Sequence, residues 1–126
     1  MRIAVTLAAA GLLLLSACGG GPIQPNVASM NVSKDGHMVS GRYNAQGFSE
    51  SEIKTLAAKM CGGSITSFGL KDSDDGIGFA AKCAGQSPYG GFAGSTFYRK
   101  ENGTAEGYIT YSNNGNLAQE KTVIKL

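Results

Sequence analysis

The residues of this 126-residue chain with the greatest capacity for chemistry are three cysteines and a single histidine, His37. A zinc site needs about four closely spaced Cys, His or carboxylate ligands, and the chain has no CxxC pair. A nucleophilic thiol or serine needs a neighbouring base, and His37 is the only imidazole. His37 directly follows Lys34-Asp35-Gly36, which is typical of a hairpin turn. We therefore interpret His37 as an exposed turn residue and predict no metal, no cofactor and no catalytic site.

Carboxylates are the other residues that could bind a cation or act as acid and base. Asp72, Asp74 and Asp75 offer oxygen atoms to calcium, but the twelfth position of an EF-hand starting at Asp72 is Cys83, not glutamate. We interpret the cluster as a hairpin tip, because aspartate commonly bonds its local backbone in turns. A carboxylate pair for glycoside chemistry would have to come from residues that alternate with lysine and turn residues: Glu101, Glu106 and Glu120.

A glycine-rich segment from Gly85 to Gly94 carries two aromatic rings, Tyr89 and Phe92. A phosphate-binding loop would need a lysine directly after its last glycine, and none follows Gly94. Two roles stay open for the rings. If exposed, Tyr89 and Phe92 would bind a partner protein or touch the membrane surface; if buried, they would close the edge of a sheet.

The N-terminus carries the most specific motif. Arg2 precedes an uncharged apolar run from Ile3 to Leu15, which ends in Leu15-Ser16-Ala17-Cys18. The run is shorter than the roughly 20 residues that a membrane-spanning helix needs. This arrangement resembles the signal peptide and lipobox of bacterial lipoproteins, over residues 1–18 only. The resemblance implies cleavage before Cys18, lipid on the Cys18 sulfur and a stable membrane anchor.

The same resemblance bears on location and on the other cysteines. Gly19 rather than aspartate follows Cys18, which in such lipoproteins implies the outer membrane, with the domain in the periplasm; a Gram-positive membrane stays open. With Cys18 lipidated, Cys61 and Cys83 remain as an even pair, in a compartment that is oxidising if the envelope is Gram-negative. We predict that Cys61 and Cys83 form a disulfide.

A single helix is predicted from about residue 49 to 61. Ser49-Glu50-Ser51-Glu52 has the pattern of a capping box at its start, and Gly62-Gly63 favours its end. Apolar residues recur at helical spacing and predict one buried stripe: Ile53, Leu56, Ala57 and Met60.

The rest of the domain is predicted to be strands. Ile77, Phe79, Ala81 and Cys83 alternate with small or polar residues, so Cys83 should point inward and its disulfide should link helix to sheet. Turn residues at 34–36, 102–103 and 113–115 predict hairpins between strands over 29–33, 37–44, 95–100, 105–112 and 118–125, and those at 72–76 predict a further hairpin between residues 64 and 84. We expect an α+β domain, with the helix on one face of a mostly antiparallel meander.

The predicted organisation is a signal peptide over 1–17, a lipidated and Gly/Pro-rich tether over 18–26 and one domain over 27–126. The last strand would either accept a partner strand at an open edge or use Lys121 and Lys125 to prevent such pairing.

These observations favour a noncatalytic, lipid-anchored envelope protein that binds another protein or an envelope component. The net charge of +2 gives no support to a nucleic-acid partner. Two alternatives stay open. One is a small envelope hydrolase acting on the cell wall, with a site near His37 or the acidic strand residues. The other is an inhibitor of a secreted enzyme that inserts the loop from Tyr89 to Phe92.

Lipidation is directly testable at Cys18. The Cys18→Ala variant should lose all labelling by radioactive palmitate and should keep its signal peptide, because the thiol is both the acyl acceptor and the cleavage marker. Electrophoresis and autoradiography of the two proteins measure both effects. Unchanged labelling of Cys18→Ala would contradict the lipoprotein prediction.

Overall fold

The computed structural model describes residues 26–126. The predicted signal peptide and the lipidation site Cys18 lie outside the described residues. The elements follow in the order β1 (Ser29–Asp35), β2 (Met38–Tyr43), α1 (Glu50–Met60), β3 (Ile65–Ser73), β4 (Gly76–Cys83), β5 (Phe92–Arg99), β6 (Thr104–Asn113) and β7 (Asn116–Lys125).

Helix α1 begins at the predicted capping box. The Ser49 hydroxyl accepts a hydrogen bond from the Glu52 N–H at 3.2 Å, and the Glu52 carboxylate accepts one from the Ser49 N–H at 2.9 Å. Two of the otherwise unpaired N–H groups at the helix start are thereby satisfied. The predicted stripe is confirmed as the buried face of the helix: Ile53, Leu56, Ala57 and Met60.

The helix ends at the predicted glycine pair. The Gly62 N–H donates to the Lys59 carbonyl at 3.1 Å, and the Gly63 N–H donates to the Ala58 carbonyl at 2.8 Å. This is a Schellman motif, which requires a left-handed residue after the helix. Gly62 has a φ of 81° and meets that requirement without the strain a side chain would add.

All seven strands form one antiparallel sheet in the order β3-β4-β2-β1-β5-β6-β7. The four predicted hairpins are present. The expected meander is wrong, because β2 pairs with β4 and β1 pairs with β5. After β2 the chain continues through α1 and enters the sheet at its edge as β3, and β4 then returns into the position beside β2.

The inner face of the sheet carries the core. The predicted inward residues of β4 are confirmed, with Phe79, Ala81 and Cys83 buried and Ile77 half-buried. The Phe79 ring lies 6.2 Å from the ring of Tyr43 and 6.1 Å from that of Phe68, between centroids. This cluster joins β2, β3 and β4.

The predicted disulfide between Cys61 and Cys83 is present. Cys61 is the residue that caps the C-terminus of α1, and Cys83 is the last residue of β4; their Cα atoms are 5.1 Å apart. The bridge closes a sequence separation of 22 residues that includes the whole β3-β4 hairpin.

The disulfide should supply a large part of the domain's stability. Closing a loop of this length contributes about 3 kcal/mol in the chain-entropy account. Cys61→Ser and Cys83→Ser should therefore lower the melting temperature equally, and the double variant should lower it no further. Calorimetry of the three variants measures this, and additive losses would mean that the thiols do not bond.

Candidate functional site

The residues considered for catalysis do not converge. His37 is exposed in the turn between β1 and β2, where its carbonyl accepts the Cys83 N–H at 2.8 Å. Within residues 26–126 no group of three or more His, Cys, Asp and Glu side chains is placed to hold a metal ion.

The aspartate cluster occupies the predicted hairpin tip between β3 and β4. The Asp75 carboxylate accepts hydrogen bonds from Ser73 Oγ at 2.6 Å and from Arg42 at 2.7 Å. The bond from Ser73, and then the charge of Arg42, hold the pKa of Asp75 below its usual value. These contacts explain the cluster as turn structure.

The three glutamates considered for glycoside chemistry lie apart. Glu106 pairs in register with Val123 on the outer face and lies 3.7 Å from the Lys100 ammonium. Glu120 pairs in register with Ile109, whose side chain is in the core, so Glu120 belongs to the inner face. Glu101 is exposed in the β5-β6 turn. The three residues therefore lie on the outer face, on the inner face and in a turn.

The structure separates the two rings of the glycine-rich segment. Tyr89 is 3% exposed and packs edge-on against Tyr111, with 5.3 Å between the ring centroids. Burial, reinforced by the charge of Glu120, raises the pKa of Tyr89 to about 12. Phe92, the first residue of β5, is 59% exposed. Tyr89 therefore closes the core, and only Phe92 is accessible to a partner.

Three hydrogen bonds hold the loop that carries Tyr89 over the inner face of the sheet. Ser87 Oγ donates to the Met60 carbonyl at 2.7 Å, and the Gly36 N–H donates to the Gly91 carbonyl at 2.6 Å. The buried ammonium of Lys34 donates to the Gly90 carbonyl, and burial lowers the pKa of this lysine. The loop thus covers part of the core.

A cleft of about 570 Å³ lies between Val27, Phe48 and Arg99, near the first residues that the structure describes. The Arg99 guanidinium contacts the Glu52 carboxylate, donates to the Gly47 carbonyl at 2.7 Å, and lies 4.8 Å from the centroid of the Phe48 ring. Burial acts to raise the pKa of Glu52, but hydrogen bonds from Ser49 and Arg99 outweigh it, so the pKa is lowered. The polar groups here satisfy one another and hold the start of α1 against β5.

The outer face of the sheet is different. Strands β5, β6 and β7 place large apolar or aromatic side chains on it, which we call the aromatic face: Phe92, Tyr98, Tyr108, Leu117 and Val123. The outer faces of β1, β2 and β4 carry mainly small or polar residues, such as Ser33, Ser40 and Ala80, with Met38 at the start of β2 as a large apolar exception. Exposed apolar surface is therefore concentrated on one half of the sheet.

Tyr108, which is 57% exposed, separates two clefts on the aromatic face. One cleft, of about 380 Å³, extends from Tyr108 to Tyr98 and includes Lys100 and Lys121 at its rim. The other, also of about 380 Å³, extends from Tyr108 to Phe92 and Leu117 over a floor that includes Gly94. Aromatic walls over a floor of small residues suit the seating of apolar groups from a partner.

Sequence reasoning identified Phe92 but missed Tyr98 and Tyr108. A signal for Tyr108 is present in the alternation of β6, where Thr104, Glu106, Tyr108 and Thr110 share one face. An aromatic residue on an otherwise polar strand face is the kind of exposed side chain that marks a binding surface.

Within residues 26–126 no helix is long and apolar enough to cross a membrane. Comparison of the chain with protein-family models, with curated proteins and with solved structures finds no match. The choice of candidate site rests on the geometry of the aromatic face alone.

The ion pair of Glu52 and Arg99 should make stability depend on pH. Because the folded pKa of Glu52 is below its ordinary value of 4.5, its contribution is complete above about pH 4.5 and is lost as the pH falls through the folded pKa. At pH 7, Glu52→Gln should lower the free energy of unfolding by about 1–2 kcal/mol. The difference should vanish in acid.

A matched control is Glu50→Gln, which removes an exposed carboxylate 3.4 Å from Lys54 on the same helix. We expect a loss of at most about 0.5 kcal/mol from it. Urea unfolding of both variants between pH 2 and 7 makes the comparison, and a pH-independent loss for Glu52→Gln would contradict the assignment.

Proposed function

We propose that this chain is a protein of the bacterial envelope that is anchored by lipid on Cys18, with Gly19 after it directing the protein to the outer membrane, and that its domain is a noncatalytic binding module in the periplasm. The observation that carries the binding role is the aromatic face. Soluble domains rarely leave several large apolar side chains together on one surface unless a partner covers them. Tyrosine and phenylalanine are also enriched among residues that dominate binding energy.

The tether is compatible with this role. The eight residues that follow Cys18, up to Asn26, can span at most about 28 Å. The domain would therefore stay close to the membrane surface and meet its partner there. Confinement of this kind raises the effective concentration of a weak binding site.

The disulfide supports the binding role indirectly. By linking the end of α1 to the end of β4, it would hold the helix on the inner face of the sheet. A helix fixed there leaves the outer face as a rigid surface, and a preorganised surface loses less entropy when it binds.

The geometry favours neither alternative. A hydrolase would need acidic or basic groups that converge on one cleft, whereas His37, Glu106 and Glu120 lie at a turn, on the outer face and on the inner face. An inhibitor loop would need protruding side chains on the loop itself, whereas Tyr89 is held against Tyr111 and the exposed Phe92 belongs to strand β5.

Site-specific photo-crosslinking in intact cells tests the proposal. A photoreactive amino acid at Tyr108 should crosslink to a defined envelope component, because this side chain is at the centre of the aromatic face. The same amino acid at Lys59, an exposed residue on the helix side of the domain, is the matched control and should not. Equal crosslinking from both positions, or none from Tyr108, would contradict the proposal.

A further inference from the structure

Strand β7 offers an open backbone edge. It is the last strand at one end of the sheet. Within residues 26–126 it pairs with β6 along one edge, and no strand pairs with its other edge. Its ten residues pair with β6 without a register shift. The other edge strand, β3, has a shift between Ile65 and Ser67. A long, regular edge strand without a bulge or proline is the kind that accepts a further strand.

The β6-β7 hairpin determines which backbone groups of β7 are free. Its two-residue turn makes Asn113 and Asn116 the first pair, and at the other end the Leu126 N–H donates to the Gly103 carbonyl at 3.0 Å. In an antiparallel ladder, alternate residues direct both backbone groups toward the same neighbour. The even-numbered residues of β7 therefore direct their backbone N–H and C=O groups toward β6. The odd-numbered residues direct their N–H and C=O groups to the open edge: Leu117, Gln119, Lys121, Val123 and Lys125.

These same odd-numbered residues place their side chains on the outer face, continuous with the aromatic face. Leu117 is 80% exposed and Val123 is 54% exposed. Among the described residues, no carboxylate forms an ion pair with Lys121 or Lys125. A strand added at this edge would therefore meet two apolar side chains separated by an unpaired positive charge.

A second copy of the chain does not fit this pattern well. When β7 pairs antiparallel with itself, the two registers with the greatest overlap are centred on Lys121 and on Glu120. The first places Lys121 opposite Lys121, and the second places Glu120 opposite Glu120. Like charges directly opposite one another destabilise a strand pair. The charge on the edge favours a different, acidic strand.

We propose that the β7 edge binds an extended acidic segment of a partner protein by antiparallel strand addition. The segment has apolar side chains opposite Leu117 and Val123 and a carboxylate opposite Lys121. Backbone hydrogen bonds supply affinity and alternate side chains supply specificity, as in other complexes formed by strand addition. The inference rests on the proposed role as a binding module and names the class of its partner.

The probe is the capped peptide Glu-Thr-Val-Thr-Glu-Lys-Thr-Thr-Val, which places valine opposite Val123 and Leu117 and glutamate opposite Lys121 and Lys125. The control peptide, Lys-Thr-Val-Thr-Lys-Glu-Thr-Thr-Val, reverses every charge. NMR of the full lipidated chain in detergent micelles measures binding and amide exchange together. We expect the acidic peptide to bind about tenfold more tightly, from the cross-strand charge pairs, and to slow exchange at the odd-numbered amides of β7.

A proline substitution tests the backbone contribution. Gln119→Pro removes an N–H that points to the open edge, and an edge strand tolerates proline at such a position. We expect this variant to fold and to lose peptide binding. Gln119→Ala, which keeps the N–H, should bind as the parent protein does.

Three outcomes would overturn the inference. The first is no binding of either peptide at millimolar concentration; the second is binding that leaves the odd-numbered amides unprotected. The third is equal binding by the Gln119→Pro and Gln119→Ala variants. In each case a crosslink from Tyr108 that persists in the Gln119→Pro variant would leave the proposed binding role standing, with its contact on the face rather than on the edge.

Discussion

The domain is shaped by a mismatch between the length of its helix and the width of its sheet. Helix α1 has 11 residues and is about 16 Å long, whereas seven strands spaced about 4.8 Å apart form a sheet about 29 Å across. One helix of this size cannot cover the inner face. The loop that carries Tyr89 covers one part of the remaining inner face. The contact between Arg99 and Phe48 covers another part. The disulfide bonds Cys61, which follows the last residue of the helix, to Cys83 at the end of β4.

The same constraint explains why the outer face is uncovered. Within residues 26–126, helix α1 and the Tyr89 loop both pack against the inner face, and there is no further layer. On the outer side, small polar residues of β1 and β2 are suited to contact with water. The aromatic face of β5, β6 and β7 is not, and this asymmetry within one sheet is the physical basis for assigning it to binding. The open edge of β7 continues the same surface.

Local structure could be predicted from the sequence, and non-local pairing could not. The capping box at Ser49 and the turn at Asn114-Gly115 each specify their geometry within a few residues, so the helix and the hairpins were predictable. The pairing of β1 with β5 brings together Val32 and Ser95, which are separated by about half of the chain, and no short pattern encodes it. Tyr89 and Phe92 are three residues apart in one glycine-rich segment, and it is non-local contacts, among them the bond from Lys34 to Gly90 and the packing of Tyr89 on Tyr111, that bury one ring and leave the other exposed.

The central claim is that a partner covers the aromatic face in the native envelope, and hydroxyl-radical footprinting tests it most directly. Labelling is compared for the protein in intact cells and after purification, with exposed Leu70 on β3 as a reference remote from this face. We predict that Phe92, Tyr108 and Leu117 are oxidised in the purified protein and protected in cells, while Leu70 is oxidised equally in both. Equal oxidation of the aromatic face in the two states would contradict the account.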